Sequence, residues 1–254
     1  MIAITAPVQE IFSGIQGEGP MVGVRQAFVR FFGCNLSCRY CDTPASRQLQ
    51  ESASIEQTAG ERDFVLHKNP ISTGFLSESI LRLSSRHAPW VSLTGGEPLL
   101  HADFLLELLP LLKDAGAKIY LETNGTLPAE MEKIADLTDF TAMDIKLPSA
   151  SGQKDLFDAH QDFLQACRAE RRPERLCVKI VVTSETKSVE LKRAADLILS
   201  INPRISLILQ PAMAISPEIR PPRPEQILRW QADLMKILAD VRVIPQTHKI
   251  INQL

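Results

Sequence analysis

The chain has no run of 18 or more consecutive apolar residues, so it has no segment suited to cross a bilayer as a helix. Its first ten residues, MIAITAPVQE, have neither the basic start nor the apolar centre of a secretory leader, and a cytoplasmic location is expected. An excess of charge is also missing. Against 30 Asp and Glu stand 28 Lys and Arg, a net charge of −2, so there is no broad basic surface for nucleic acid. Neither nucleic acid nor membrane is expected as a partner. Internal repeats and coiled-coil heptads are absent, which excludes solenoids and long helical arrays. Cysteine is scarce, at five residues, and in a reducing compartment clustered thiols serve metals or redox chemistry more often than disulfides.

With 44% hydrophobic and 23% charged residues, the 254-residue chain can build a large core as a single α/β domain. Strand-like runs at 27–32, 90–94, 118–123, 140–146, 176–183, 205–210 and 241–244 alternate with helical patterns near 75–87, 101–115, 128–136, 154–170, 187–200 and 224–239. That rhythm predicts repeated βα units and a mainly parallel sheet. Seven strands suggest an open, incomplete β/α barrel, with a closed eight-stranded barrel as the alternative. Residues 45–72 break the rhythm and read as a solvated insertion or as a lid over a site. The Pro-rich stretch 211–224 reads as a surface connector.

Ligands of parallel α/β folds bind beyond the carboxyl ends of the strands. Four polar or glycine motifs fall there in chain order: FFGCNLSC, TGGEP, ETNG and DIKLPS. The first carries Cys34, Cys38 and Cys41, while Cys167 and Cys177 stand alone and read as packing residues. A structural zinc wants four ligands, and the nearest further Cys or His in sequence is His67. A 4Fe-4S cluster held by three thiolates keeps one iron open to a ligand that is not protein. Gly33 lets the backbone approach such a cluster closely.

CNLSCRYC resembles the cluster motif of the radical S-adenosylmethionine superfamily, in which the methionine end of the cofactor chelates the open iron. The resemblance implies a partial TIM-like barrel and a radical reaction. It also places Tyr40, Gly96, Glu97, Glu122, Asn124, Asp144 and Lys146 around S-adenosylmethionine. The longer segment IFSGIQGEGPMVGVRQAFVRFFGCNLSCRYCDT, with QTHK near the end, resembles the superfamily's ring-contracting enzymes, which turn a carboxylated tetrahydropterin into a carboxylated 7-deazapurine.

The glycines of IQGEG free Ile15, Gln16 and Gly17 to pair through their backbone with the edge of a flat heterocycle, and Glu18 supplies an acceptor for its N–H donors. The same word also suits a glycine-rich hairpin. Arg30, on an otherwise apolar strand, calls for either a ligand carboxylate or one of the chain's own acids. The resemblance further implies that Thr43 ligates Mg2+, with Asp42 as second choice, and that Thr94, His248 and the carboxylate of Leu254 reach the substrate. Residues 245–254 would then form a substrate-contacting tail, for which a solvated terminus is the alternative. A pterin substrate, an electron donor such as flavodoxin and a homodimer complete the implied picture. The competing functions are a glycyl-radical activating enzyme and a metal-binding module without catalysis.

Overall fold

Runs rich in Val, Ile and Leu become strands because branched side chains pack well on a pleated surface. The computed structural model describes residues 4–214 and 217–253. In chain order its strands are β1 (Thr5–Ala6), β2 (Val8–Ile15), β3 (Arg25–Phe31), β4 (Ser52–Glu56), β5 (Phe64–Lys68), β6 (Ile71–Ser72), β7 (Trp90–Gly95), β8 (Lys118–Thr123), β9 (Phe140–Asp144), β10 (Leu176–Val182), β11 (Ser206–Pro211) and β12 (Val241–Val243). The helices are α1 (Thr73–Leu83), α2 (Ala102–Asp114), α3 (Pro128–Ile134), α4 (Pro148–Ser151), α5 (Phe157–Ala166), α6 (Ser188–Ile201), α7 (Pro224–Leu234) and α8 (Thr247–Ile250). Pro128, Pro148 and Pro224 open their helices, where a missing N–H costs nothing. Among the described residues no helix is long and apolar enough to cross a membrane.

Ten strands form one sheet in the order β12-β11-β10-β9-β8-β7-β3-β2-β4-β5. From β12 to β3 every pairing is parallel, and these are the seven strands expected from the sequence. Strands β12 and β5 remain at opposite edges, so the barrel is partial. β2 was not foreseen. It lies antiparallel to β3 as the first arm of a hairpin whose tip is the IQGEG loop.

Residues 45–72 carry secondary structure of their own. β4 pairs parallel to β2, and β5 antiparallel to β4, so the segment adds a hairpin to the sheet. Its polar composition hid it because only one side is covered: Ala53 and Ile55 are buried, while Leu66 is 72% exposed. Helices α1, α2 and α3 pack in series on the outer face, as successive βα crossovers require. Leu105, Leu108, Leu109 and Leu112 of α2 are fully buried against that side of the sheet. The strand carboxyl ends surround an opening on the inner side.

Candidate active site

A cavity of about 360 Å³ occupies this opening. Cys34, Cys38, Cys41, Tyr40, Asp144, Lys146, Gln210 and Ala212 line one end, and Ile15, Gln16, Gly17, Glu18, Arg30, Thr94, Glu122 and His248 line the other. Thr43 and Asp42 also line it, and so do Gly96 and Asn124. Leu254 lies outside the described residues.

At the first end the cluster loop follows β3. All five cysteines are free thiols, and the three of the motif are half-buried. Burial holds the Cys34 and Cys38 thiol pKa values up, and both groups also feel the charge of Cys41. Three thiols brought together at one end of a cavity, Cys34 and Cys38 among them resisting ionisation by themselves, are suited to a cation-rich group that would accept all three as thiolates.

The TGGEP motif braces this loop. A Cβ on Gly96 would lie 1.8 Å from the Gly33 carbonyl oxygen, and one on Gly95 would lie 2.3 Å from that of Phe31. Gly96 N–H donates to Phe31 C=O at 3.1 Å and Glu97 N–H to Gly33 C=O at 2.7 Å. Glu97, expected from the sequence to meet the cofactor, is placed elsewhere. It is fully buried, outside the cavity lining, and its carboxylate accepts from Leu99 N–H (3.1 Å), Thr123 Oγ1 (2.9 Å) and Asn124 N–H (2.7 Å). Burial raises its pKa to about 7 against the pull of those donors. Asn124 in turn donates to Asn35 Oδ1 at 2.8 Å and so ties the end of β8 to the cluster loop.

Two acceptors at this end are orphaned. Among the described residues, Asp144 Oδ1 and Gln210 Oε1 are buried without a hydrogen-bond partner, and so is the Tyr40 hydroxyl. Each unmade bond costs about 1–3 kcal/mol, which favours a ligand that brings N–H or O–H donors. The other Asp144 oxygen pairs with Lys146 at 2.8 Å. Lys146 stands over the Tyr40 ring at 5.4 Å, and that ring packs beside Val181, Ala212 and Ile219. This is an apolar slot rimmed by acceptors, suited to a nucleoside.

The second end is dominated by paired charges. Glu18 pairs with Lys179 and accepts from Gln246 Nε2 at 2.6 Å. Burial opposes its charge, but Lys179 outweighs burial and holds the Glu18 pKa below the ordinary carboxylate value. Lys179 is also 3.6 Å from Asp144, and those partners keep its pKa raised in spite of burial. Asp42 accepts from Gln246 at 2.8 Å and Lys249 at 2.9 Å. Burial works against the Asp42 carboxylate, yet these donors lower its pKa to about 2. Glu18, Asp42 and His248 present ligand atoms within 4.8 Å of one another. Thr43 adjoins them, and its hydroxyl makes no capping bond to the turn it precedes.

Glu122 was expected beside the adenosyl cofactor and is found at this end, where it accepts from Gln16 Nε2 (2.8 Å), Ser92 Oγ (3.1 Å) and Thr94 Oγ1 (3.3 Å). Burial and then the Glu18 charge raise its pKa. Arg30 is bound through Nε to Glu10 at 2.6 Å, one of the chain's own acids, while its side chain still lines the cavity. The tail is not a free end. Thr247 N–H donates to Gly17 C=O at 2.9 Å, and a Cβ on Gly17 would lie 2.2 Å from His248 Nδ1, so only glycine fits there.

Lys179, Gln210, Gln246 and Lys249 were not foreseen from the sequence. Lys179 stands in LCVKIVV as Arg30 stands in AFVRFF, a lone cation in an apolar strand, and that signal was available. Gln210 sits at the carboxyl end of β11, the position that marked the other motifs.

A partial barrel with three thiols beyond its first parallel strand defines a radical S-adenosylmethionine enzyme. The family model described as "Radical SAM superfamily" matches residues 28–172. The chain is 43% identical over 253 residues to a 7-carboxy-7-deazaguanine synthase of Geobacter sulfurreducens, with 98% of each chain covered. It is 36% identical to one of Methanothermobacter thermautotrophicus, with 99% of each covered. Among solved structures it is similar to QueE from Escherichia coli, with a TM-score of 0.61, 22% identity, and 95% and 94% of the two chains covered. A radical SAM methyltransferase from Sphaerobacter thermophilus shares the fold at a TM-score of 0.59 and 13% identity, over 94% of this chain and 77% of that one. The chain belongs to the 7-carboxy-7-deazaguanine synthase family of the radical SAM superfamily. That membership sets aside the activating-enzyme and non-catalytic readings.

Proposed function

We propose that the protein converts 6-carboxy-5,6,7,8-tetrahydropterin to 7-carboxy-7-deazaguanine with loss of ammonia, using a 4Fe-4S cluster, S-adenosylmethionine and Mg2+. The observation that carries this reading is the division of one cavity into a three-thiol end with orphaned acceptors and an end with ionised carboxylates beside a glycine loop. When bound, the cluster and S-adenosylmethionine supply one-electron radical chemistry.

Cys34, Cys38 and Cys41 hold the cluster. Asp144 and Gln210 accept from the adenosyl group, Tyr40 and Ala212 flank it, and Lys146 neutralises Asp144. At the other end Glu18, kept ionised by Lys179, accepts from the amino and ring N–H donors of the pterin, while the backbone of Ile15, Gln16 and Gly17 meets its edge. The substrate carboxylate lies toward Arg30 and a Mg2+ held by Thr43 with Asp42 beside it, a set of hard oxygen donors that suits this ion. His248 lines the same wall. Fixing the pterin between these groups orients the reacting ring and excludes quenching routes.

We further propose a cytoplasmic homodimer served by an electron donor such as flavodoxin; a reducing compartment suits cysteines clustered as metal ligands. The test is anaerobic incubation of reconstituted protein with reductant, S-adenosylmethionine and the carboxytetrahydropterin. Formation of the deazaguanine chromophore with release of ammonia is expected, and its absence from iron-loaded protein would contradict the assignment.

A further inference from the structure

The hairpin of residues 45–72 reaches the site without lining it. Its tip, between β4 and β5, is built around one fully buried carboxylate, that of Glu56. Glu56 Oε1 accepts from Gly60 N–H at 3.0 Å and Arg62 N–H at 2.8 Å, and Oε2 accepts from Ser13 N–H at 2.6 Å. Asp63 Oδ1 accepts from Gln57 N–H at 3.0 Å and Thr58 N–H at 2.8 Å. Arg25 joins Ser13 Oγ at 3.0 Å to the Ala59 carbonyl at 2.9 Å. With its tip bonded at each of these points, the turn holds Arg62 at φ +57°, in the left-handed region that a side chain disfavours.

In that position the Arg62 guanidinium donates to the Asn252 carbonyl at 3.0 Å, across 190 positions of sequence. Asn252 also has a positive φ, +53°. For Asn252 that backbone is an ordinary helix ending, whereas Arg62 adopts one that its side chain disfavours, and the contact they share runs between the hairpin and the tail. Asn252 directly follows the last turn of α8, in which Ile251 N–H donates to Thr247 C=O at 3.4 Å and Gln253 N–H to His248 C=O at 2.9 Å. The same short helix brings His248 and Lys249 to the cavity wall. At its start, Gln246 and Thr247 are bonded to Glu18, Asp42 and Gly17. The tail is thus anchored from inside the cavity at its beginning and from outside, by Arg62, at its end.

We propose that Arg62 is a positioning residue: the β4–β5 hairpin clasps the C-terminal segment over the substrate end of the cavity, and so sets how readily that segment lifts to admit the pterin and release the product. The identity of the substrate rests on the function proposed above, whereas the clasp does not. Neither Arg62 nor Asn252 lines the cavity, so removal of the Arg62 side chain acts on closure and leaves the reacting atoms as they were.

The experiment compares hydrogen–deuterium exchange and turnover of the reconstituted holoenzyme as wild type, Arg62→Ala and Arg62→Lys. In Arg62→Ala the amides of residues 247–253 are expected to exchange about 5- to 10-fold faster, the loss of one hydrogen bond from a charged donor, with the amides of 57–63 unchanged. KM for the carboxytetrahydropterin is expected to rise about 5-fold with kcat within 2-fold, and Arg62→Lys to fall between Ala and wild type. Unchanged exchange of the tail in Arg62→Ala would overturn the clasp. So would equal loosening of 57–63, which would make Arg62 a part of the turn alone, and a loss in kcat at constant KM would overturn it as well. A wild-type enzyme inert toward the pterin would refute the proposed function, while the exchange result would still decide the clasp.

Discussion

The two ends of the cavity are built on opposite plans. At the thiol end, close backbone contacts and hydrogen bonds made within neighbouring loops do most of the positioning: Gly95 and Gly96 press on the cluster loop, Glu97 ties three donors together, and Asn124 reaches Asn35. At the substrate end, side-chain charges position one another over long sequence distances, Glu18 to Lys179 and Asp42 to Lys249. The first plan suits a rigid mount for a large inorganic group. The second keeps polar groups paired until a polar substrate exchanges places with those partners, which lets binding discriminate strongly.

The sharpest break of this contrast removes a thiol. Cys38→Ala is expected to lose cluster iron and all ring contraction while the fold melts near the wild-type temperature, since the thiol end is braced by backbone contacts. Iron analysis beside a thermal melt checks it. Lys179→Met should do the reverse. It leaves Glu18 and Asp144 buried without that cation, and destabilisation by about 3–5 kcal/mol is expected in denaturant melts, with part of the loss recovered in the double variant with Glu18→Gln.

Legibility followed the same division. The thiol spacing, the glycine words at the strand ends and the seven parallel strands were readable because each signal lies within a few consecutive residues. The pairing of Lys179 with Glu18, and of Gln246 with both Glu18 and Asp42, was not, because those partners lie 161, 228 and 204 positions apart. The partners that Glu97 and Glu122 have within the chain were hidden for a related reason. A strand-end carboxylate announces a polar site in sequence, but its rotamer and burial decide whether it meets the ligand or braces the loop beside it. β4 and β5 were missed since a one-sided edge hairpin lacks the apolar run of an interior strand.

A third expected outcome concerns pH. His160 is fully buried, its ring bridging the Gly125 carbonyl at 2.9 Å and the Lys146 N–H at 3.1 Å. Burial lowers its pKa from 6.5 to about 4, so as pH falls the unfolded chain takes up this proton before the folded one does. Above pH 6.5 the contribution is intact; between pH 6.5 and 4 about 3 kcal/mol of stability is lost. Denaturant melts across that window should show the decline, and His160→Gln should flatten it.

The smallest effect sharpens the assignment of the orphaned acceptors. Gln210→Leu is expected to weaken S-adenosylmethionine binding about 10-fold in equilibrium titrations, with iron content and pterin affinity unchanged. A change confined to pterin affinity would move Gln210 to the other end.

The most direct test of the three-thiol site is electron paramagnetic resonance of the anaerobically reconstituted, reduced protein with and without S-adenosylmethionine. A 4Fe-4S signal whose g-values shift when the cofactor is added is expected, because one iron is left for it by Cys34, Cys38 and Cys41. Iron-free protein, or a cluster signal that saturating S-adenosylmethionine leaves unmoved, would contradict it.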